Sequence, residues 1–128
     1  MDFPQDLYYT RDHEWLRVGE DSRTIVVGIT DFAQSELGDI VYIEIDKLDA
    51  DVEQNEVFGT VEAVKTVSEL YMPVSGTLVE FNEDLEDSPE QVNDDPYGEG
   101  WLIKIRMSDP SQVSDLLSAD EYAELVAA

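Results

Sequence analysis

The stretch that decides the fold of this chain is residues 57–76, VFGTVEAVKTVSELYMPVSG. The residues before Lys65 alternate in the manner of a β-strand, and a second apolar segment follows it. This pattern predicts a β-hairpin with Lys65 at or beside its reversal, pointing into solvent. An exposed lysine is ordinarily a plain surface residue. Here the chain has only three lysines, Lys47, Lys65 and Lys104, so a lysine at a hairpin tip suggests a function.

The composition describes one acidic domain. The chain has 128 residues, 42% of them apolar, which is enough for one modest hydrophobic core. Its 31 acidic and 7 basic residues give a net charge of −24. Such a charge repels a phosphate backbone and an anionic lipid surface, and it excludes nucleic acid and the membrane as partners.

Two explanations of this charge compete: a disordered acidic chain, and a folded protein adapted to a very salty cytoplasm. The acidic residues are spread between apolar strand positions and lysine is scarce, which favours the folded, halophilic protein. In dilute salt the Debye length is about 30 Å and the carboxylates repel one another across the whole molecule. Near 1 M salt that length is about 3 Å.

The chain contains no cysteine, which excludes a disulfide framework and a thiolate metal site. The start of the sequence, Met1-Asp2-Phe3-Pro4, is short and acidic. We find no signal peptide, transit peptide or transmembrane run, and we therefore expect a cytoplasmic protein.

Short strands separated by turn signals dominate the chain. Outside the Lys65 hairpin, the predicted strands are His13–Val18, Thr24–Ile29, Asp39–Ile45, Gly76–Asn82 and Trp101–Met107. Thr30 as N-cap and Gly38 as a left-handed stop predict one short helix. The acidic stretch 83–100 predicts a long loop, and loops of this length are often functional.

The C-terminal tail predicts helices. Pro110 occupies the first turn of one helix, which covers residues 111–117. Ser118 and Glu121 form a capping box for a second helix that ends at Val126. We expect these helices to pack on the sheets.

Together these elements predict a mainly β fold, an antiparallel β-sandwich or flattened barrel with a short internal helix and C-terminal helices. We assign residues 1–128 to a single domain, with the core sandwich over about 7–107 and the helical segment over about 109–127. The pattern of residues 38–44 is similar to that of residues 76–82. Two half-sheets packed face to face around the lysine hairpin would produce this similarity, and so would chance.

The Lys65 hairpin resembles the attachment hairpin of lipoyl and biotinyl carrier domains, in which a lysine at a β-turn carries the cofactor. Biotin carriers flank that lysine with methionines, whereas Val64 and Thr66 are found here. The segments Glu62-Ala63-Val64-Lys65 and Ser68-Glu69-Leu70 are more similar to the H-protein family of the glycine cleavage system.

The similarity to this family covers nearly the whole chain. It is carried by Tyr9-Thr10, His13-Glu14-Trp15, Gly28-Ile29-Thr30, Ala33, Gly38-Asp39-Ile40, Pro73-Val74-Ser75-Gly76, Asn82, Leu85, Pro89, Asn93, Pro96-Tyr97-Gly98 and Gly100-Trp101-Leu102. A general lipoyl domain of a keto-acid dehydrogenase would be shorter and would lack the loop from Asn93 to Trp101. The resemblance therefore implies a fold of the lipoyl-domain type, a barrel-sandwich hybrid.

The resemblance also implies a shuttle protein and not an enzyme. Lys65 would carry lipoate in amide linkage, attached by a lipoate ligase or lipoyl transferase. The arm would take an aminomethyl group from the pyridoxal-phosphate glycine decarboxylase to the tetrahydrofolate-dependent aminomethyltransferase. Dihydrolipoyl dehydrogenase would then reoxidise the dithiol. The lack of cysteine is explained either by its rarity in the source organism or by the advantage of having no thiol that exchanges with this arm.

Other functions stay open. A carrier of the same fold could serve lipoyl relay or sulfur metabolism, and an unmodified acidic binding module would keep the fold and leave Lys65 bare. No catalytic constellation stands out, since His13 is the only histidine and the carboxylates are too numerous for one pair to be singled out. We expect His13 to satisfy a local hydrogen bond.

A loaded arm would carry a labile, positively charged amine. Docking of the arm against the protein's own surface would protect this amine from water, and a cleft lined by carboxylates would suit its charge. Glu14 is the candidate carboxylate, because its His13-Glu14-Trp15 setting matches the family. The alternative is that Glu14 is a solvated strand residue.

Overall fold

The computed structural model describes residues 3–127, and both ends of the predicted domain 1–128 lie outside the described residues. The strands are β1 Tyr8–Tyr9, β2 Glu14–Val18, β3 Thr24–Ile29, β4 Ile40–Ile45, β5 Asp51–Val52, β6 Val57–Ala63, β7 Val67–Tyr71, β8 Gly76–Phe81 and β9 Ile103–Met107. The helices are α1 Asp31–Leu37, α2 Asp84–Asp87, α3 Gln91–Asp94, a 3₁₀ helix Pro110–Asp115 and α4 Ala119–Ala127.

Two antiparallel sheets form the body of the protein. One has six strands in the order β1-β2-β3-β9-β8-β5, and the other has three in the order β4-β6-β7. Buried side chains of both sheets, such as Ile25, Ile105, Ile43 and Val61, belong to one hydrophobic core. The predicted antiparallel β-sandwich is therefore confirmed. The two similar sequence segments supply one strand to each sheet, β4 and β8.

Helix α1 connects β3 of the larger sheet to β4 of the smaller sheet. The Thr30 hydroxyl accepts a hydrogen bond from the Ala33 N–H at 3.1 Å and so caps the first turn. Gly38 ends the helix at φ 80° and ψ −155°, a positive-φ conformation that glycine adopts without steric cost. Both predicted signals of this helix are confirmed.

Helix α4 packs on the outer side of the larger sheet. Its capping box is formed as predicted, since Ser118 N–H donates to Glu121 Oε1 at 3.0 Å and Glu121 N–H donates to Ser118 Oγ at 3.2 Å. A second group of buried residues joins this helix to the N-terminal strands, and it consists of Leu7, Tyr9, Trp15, Ala119 and Tyr122. Within residues 3–127, no helix is both long enough and apolar enough to span a bilayer.

Three predicted elements differ from the structure. The stretch 83–100 is not an open loop, because Leu85 and Val92 are buried and each anchors a single-turn helix, α2 or α3. The predicted helix 111–117 is a 3₁₀ helix that stops early, because the backbone of Leu117 pairs with that of Tyr9. Strand β9 begins at Ile103, two residues later than predicted, and Trp101 before it is partly exposed.

Candidate functional site

Lys65 lies in the reversal between β6 and β7, and it is exposed as predicted. Two backbone hydrogen bonds hold this hairpin tip. Ala63 N–H donates to Thr66 C=O at 2.8 Å across the hairpin, and Val64 N–H donates to Asp39 C=O at 3.0 Å. The second bond ties the tip to the residue just before β4. Lys65 therefore extends from a fixed point of the sheet and not from a free loop.

The amine of Lys65 is available for reaction. Within residues 3–127 the only ion pair joins Lys104 Nζ to Glu80 Oε1 at 3.5 Å, so Lys65 forms none despite the excess of carboxylates. Lys104 Nζ also lies 5.1 Å from the centre of the Trp101 ring, an arrangement typical of a cation–π contact. Lys47 is exposed in the connection between β4 and β5, outside any hairpin of this kind.

The side chain of Lys65 passes over the end of α1. A methyl group built on Gly38 would lie 3.5 Å from Lys65 Cε and 3.9 Å from Nζ. This places the amine at the surface where α1 turns into β4. A group attached to this amine would therefore start next to the exposed side of α1.

Asn93 braces this junction from α3. Its Nδ2 donates to Gly38 C=O at 2.8 Å and to Gln34 Oε1 at 3.0 Å, while its Oδ1 accepts from Ile40 N–H at 2.9 Å. The stretch 83–100, which the sequence suggested as a functional loop, thus supports the backbone beside Lys65. Asn93 was singled out in the sequence only by resemblance, and the structure supplies the physical reason for it.

A cleft of about 220 Å³ lies between α1 and β7. Its lining residues are Asp12, His13, Ile29, Phe32, Ala33, Glu36, Leu37, Val61, Ser68, Glu69 and Leu70. Three carboxylates, Asp12, Glu36 and Glu69, therefore face an otherwise largely apolar space. Such a cleft suits an apolar chain that ends in a positive charge.

His13 stands at one end of this cleft. Its backbone adopts φ 68°, so it precedes β2 as a left-handed turn residue, where the sequence predicted a strand residue. Its Nδ1 lies 2.8 Å from the hydroxyl of Tyr122, so the side chain is hydrogen-bonded as expected, but to a residue 109 positions away and not to a local partner. Burial lowers the pKa of His13 below its usual 6.5, against the opposing effect of Asp12 and Glu36.

Glu14 is neither a solvated residue nor part of the cleft lining. It is 1% exposed, and Oε2 accepts a hydrogen bond from Tyr71 N–H at 2.9 Å while Oε1 accepts from the Thr10 hydroxyl at 3.4 Å. Burial raises the pKa of its carboxyl well above the usual 4.5, and the Tyr71 hydrogen bond opposes this shift. Glu14 joins the larger sheet to the end of the lysine hairpin.

We predict that Glu14→Gln changes how stability depends on pH. Because the folded protein holds the Glu14 proton more tightly, the stability it contributes is complete below pH 4.5 and is lost as pH rises through the folded-state pKa. Glutamine keeps the acceptor for Tyr71 N–H without a charge, so the variant should gain stability relative to wild type as pH rises toward 7. Urea unfolding of both proteins from pH 4 to 8 at one salt concentration measures this difference, and parallel curves would contradict it.

Glu14→Ala provides a second comparison at this position. It removes the acceptor and leaves the partly buried Tyr71 N–H without its partner, which costs about 1–3 kcal/mol. We therefore expect the alanine variant to be less stable than wild type at neutral pH. The glutamine variant should not be less stable than wild type at that pH.

The cleft was not predictable as a set of residues. Asp12 lies in the turn before β2, Glu36 in α1 and Glu69 in β7, and only the tertiary fold brings these three segments together. Each of them taken alone is one acidic residue among 31.

An exposed lysine amine at the tip of a braced hairpin, next to a cleft, is the arrangement expected of a carrier protein. A family model described as glycine cleavage H-protein matches residues 7–128. The chain belongs to this family. Its role is that of a carrier component of the glycine cleavage system, not of a catalyst.

Individual relatives support the same assignment. The chain is 60% identical to the glycine cleavage system H protein of Salinibacter ruber over 125 residues, which cover 98% of this chain and 99% of that one. It is 54% identical to the H protein of Staphylococcus carnosus, with 98% of each chain covered. A crystal structure of the H protein from Mycobacterium marinum superposes with a TM-score of 0.88 at 38% identity, covering 98% of this chain and 100% of that one.

Proposed function

We propose that Lys65 carries lipoate in amide linkage, attached by a lipoate ligase or lipoyl transferase. The observation that carries this proposal is the exposed amine of Lys65, which forms no ion pair within residues 3–127 and extends from a fixed hairpin tip. Acylation converts the ammonium to a neutral amide, and here it breaks no salt bridge. Lys104, by contrast, would lose its contact with Glu80.

The bound arm serves as a shuttle between three enzymes. It takes the aminomethyl group from the pyridoxal-phosphate glycine decarboxylase to the tetrahydrofolate-dependent aminomethyltransferase, and it passes reducing equivalents to dihydrolipoyl dehydrogenase. The chemistry belongs to the cofactors, and this chain supplies attachment and recognition. Tethering at Lys65 also raises the effective concentration of the reactive group at each partner.

We further propose that the loaded arm docks in the cleft between α1 and β7. Lys65 passes over Gly38 at the end of α1, and Leu37, the residue before it, lines the cleft. The apolar lining suits the hydrocarbon of the arm, and the carboxylates of Asp12, Glu36 and Glu69 suit its positive amine. Glu14 does not line this cleft, and its carboxylate oxygens accept hydrogen bonds from Tyr71 N–H and the Thr10 hydroxyl.

The cytoplasm is the compartment in which we place this shuttle, and the net charge of −24 supports a salty one. Neither nucleic acid nor an anionic membrane is a suitable partner for such a surface. Partner enzymes therefore meet an acidic protein, with Lys65 as one of only three lysines.

The experiment that tests the attachment site is an intact mass measurement with peptide mapping, on protein isolated from its native host. We expect one lipoyl group, located on the peptide that contains Lys65. An unmodified mass would support an acidic binding module with a bare lysine. If Lys65 is lipoylated but the protein binds no glycine decarboxylase, a carrier for lipoyl relay or sulfur metabolism is the better assignment.

A further inference from the structure

The hydroxyl of Tyr122 occupies an unusual position for a residue of the C-terminal helix. Tyr122 is fully buried, and its hydroxyl lies 2.8 Å from Nδ1 of His13 and 2.7 Å from Oγ1 of Thr30. His13 directly precedes β2 and Thr30 directly follows β3, so the two residues are neighbours at the open end of this hairpin. One phenol oxygen therefore links three separate elements of the chain.

Both partners support the walls of the cleft, although Thr30 itself does not line it. His13 lines the cleft directly, and Thr30 caps α1, whose residues Phe32 and Leu37 form another wall. The ring of His13 also lies against that of Phe32, with centroids 5.0 Å apart. Thr30 N–H donates to His13 C=O at 3.0 Å, which closes a small network around the turn.

We propose that Tyr122 is a positioning residue for the arm: its buried hydroxyl holds His13 and the start of α1 in the arrangement that closes the cleft around the loaded group. This inference rests on the proposed docking of the arm. It assigns to the C-terminal helix a role in the shuttle that neither its sequence nor its place on the outer side of the larger sheet suggests.

The hydrogen atoms of this network can be assigned from its chemistry. Burial raises the pKa of Tyr122 to about 12, so the phenol keeps its proton at neutral pH. Thr30 Oγ1 already accepts from Ala33 N–H, and its own hydrogen can be donated to the phenol. The phenol then donates to Nδ1 of His13, and neutral His13 carries its proton on Nε2.

The backbone conformation of His13 makes its hydrogen bond with Tyr122 more important. At φ 68° a histidine is in a sparsely populated conformation, and such a conformation persists only where the surroundings fix it. The hydrogen bond from Tyr122 fixes the ring, and the one from Thr30 N–H fixes the backbone. Loss of the phenol releases the ring at the end of the cleft.

Tyr9 provides a matched control in the same aromatic cluster. Its ring stacks on that of Tyr122 with centroids 4.9 Å apart, and it too is fully buried. Its hydroxyl donates to Pro4 C=O at 2.7 Å, in the N-terminal segment and not at the cleft. Tyr122→Phe and Tyr9→Phe therefore each remove one buried hydroxyl and leave the stacked rings in place.

The first measurement follows the imidazole nitrogens of His13 by ¹⁵N NMR in protein without the cofactor. His13 is the only histidine in the chain, so its signals need no separation from others. We expect wild type and Tyr9→Phe to show one tautomer with a hydrogen-bonded Nδ1, and Tyr122→Phe to show an altered tautomer distribution. Identical spectra for wild type and Tyr122→Phe would overturn the proposal.

The second measurement is the rate at which the aminomethylated, lipoylated protein loses its amine to water. Loss of the hydroxyl, and with it the hydrogen bonds to His13 and Thr30, should raise this rate about two- to tenfold in Tyr122→Phe, and Tyr9→Phe should match wild type. Equal rates in wild type and Tyr122→Phe, or equal increases in both variants, would overturn the inference. If folded wild type loses its amine as fast as urea-unfolded protein, the docking fails together with this inference, while lipoylation of Lys65 still stands.

Discussion

Replacement of Lys65 by arginine should abolish lipoylation and glycine cleavage while the protein stays folded. Lipoate attachment requires a primary amine that can be acylated, and a guanidinium retains the charge but does not supply that amine. Lys65 is exposed and forms no ion pair within residues 3–127, so the change in stability should not exceed about 0.5 kcal/mol. Intact mass after incubation with a lipoylating enzyme, and glycine cleavage in a mixture with the other components, measure both effects.

Lys47→Arg and Lys104→Arg are the controls for this result. Lys47 is exposed outside the hairpin, and Lys104 is engaged by Glu80 and by the ring of Trp101. An arginine at position 104 can keep the contacts with Glu80 and Trp101, because arginine forms both ion pairs and cation–π contacts. Both variants should be lipoylated and active. Lipoylation of the Lys65 variant, or uptake of lipoate at Lys47 in wild type, would refute the attachment site.

The parts of the fold that the sequence predicts well are those set by local signals. The hairpin around Lys65 follows from strand alternation on both sides of a reversal. Helix α1 is bounded by Thr30 and Gly38, whose conformations are local requirements. The capping box of Ser118 and Glu121 is of the same kind. In each case the residues that determine the structure are neighbours in the chain.

The parts that were missed depend on contacts between distant residues. Glu14 can be buried because its carboxylate oxygens accept hydrogen bonds from two donors. These donors are Tyr71 N–H, 57 positions away, and the Thr10 hydroxyl. Strand alternation alone does not distinguish such a residue from a solvated one. The link from Tyr122 to His13 spans 109 positions, and only the docking of α4 creates it.

The stretch 83–100 shows how composition can mislead. Its acidic residues and its prolines at 89 and 96 suggested an open functional loop. Two apolar side chains, Leu85 and Val92, are buried in the core. Each belongs to a single-turn helix, so the stretch packs against the protein. The Asn93 amide of this stretch donates to the carbonyl of Gly38. The Asn82 amide, which lies just before the stretch, donates to the carbonyls of Glu99 and Trp101 and holds the end of the stretch in place. The stretch contributes to the site by fixing the backbone beside Lys65.

Salt should stabilise this protein strongly and continuously from millimolar to molar concentration. Within residues 3–127 only one carboxylate forms an ion pair. With a net charge of −24, most of the carboxylates are therefore unpaired and repel one another. Two like charges 10 Å apart in water repel by about 0.4 kcal/mol, and molar salt reduces the screening length to about 3 Å. Summed over the excess charge, this should raise the melting temperature by about 10 °C or more.

The measurement is thermal unfolding in sodium chloride, and the control is a variant with fewer charges. Glu20, Glu44, Asp46 and Glu124 are exposed and make no side-chain hydrogen bond in the described part of the chain. Replacing them with Gln or Asn therefore removes four charges and no contact. This variant should be more stable than wild type in dilute salt and should gain less from added salt, because repulsion is the quantity that the salt screens. A melting temperature that stays flat across the range, or an equal gain in both proteins, would show that repulsion among the carboxylates does not limit this fold.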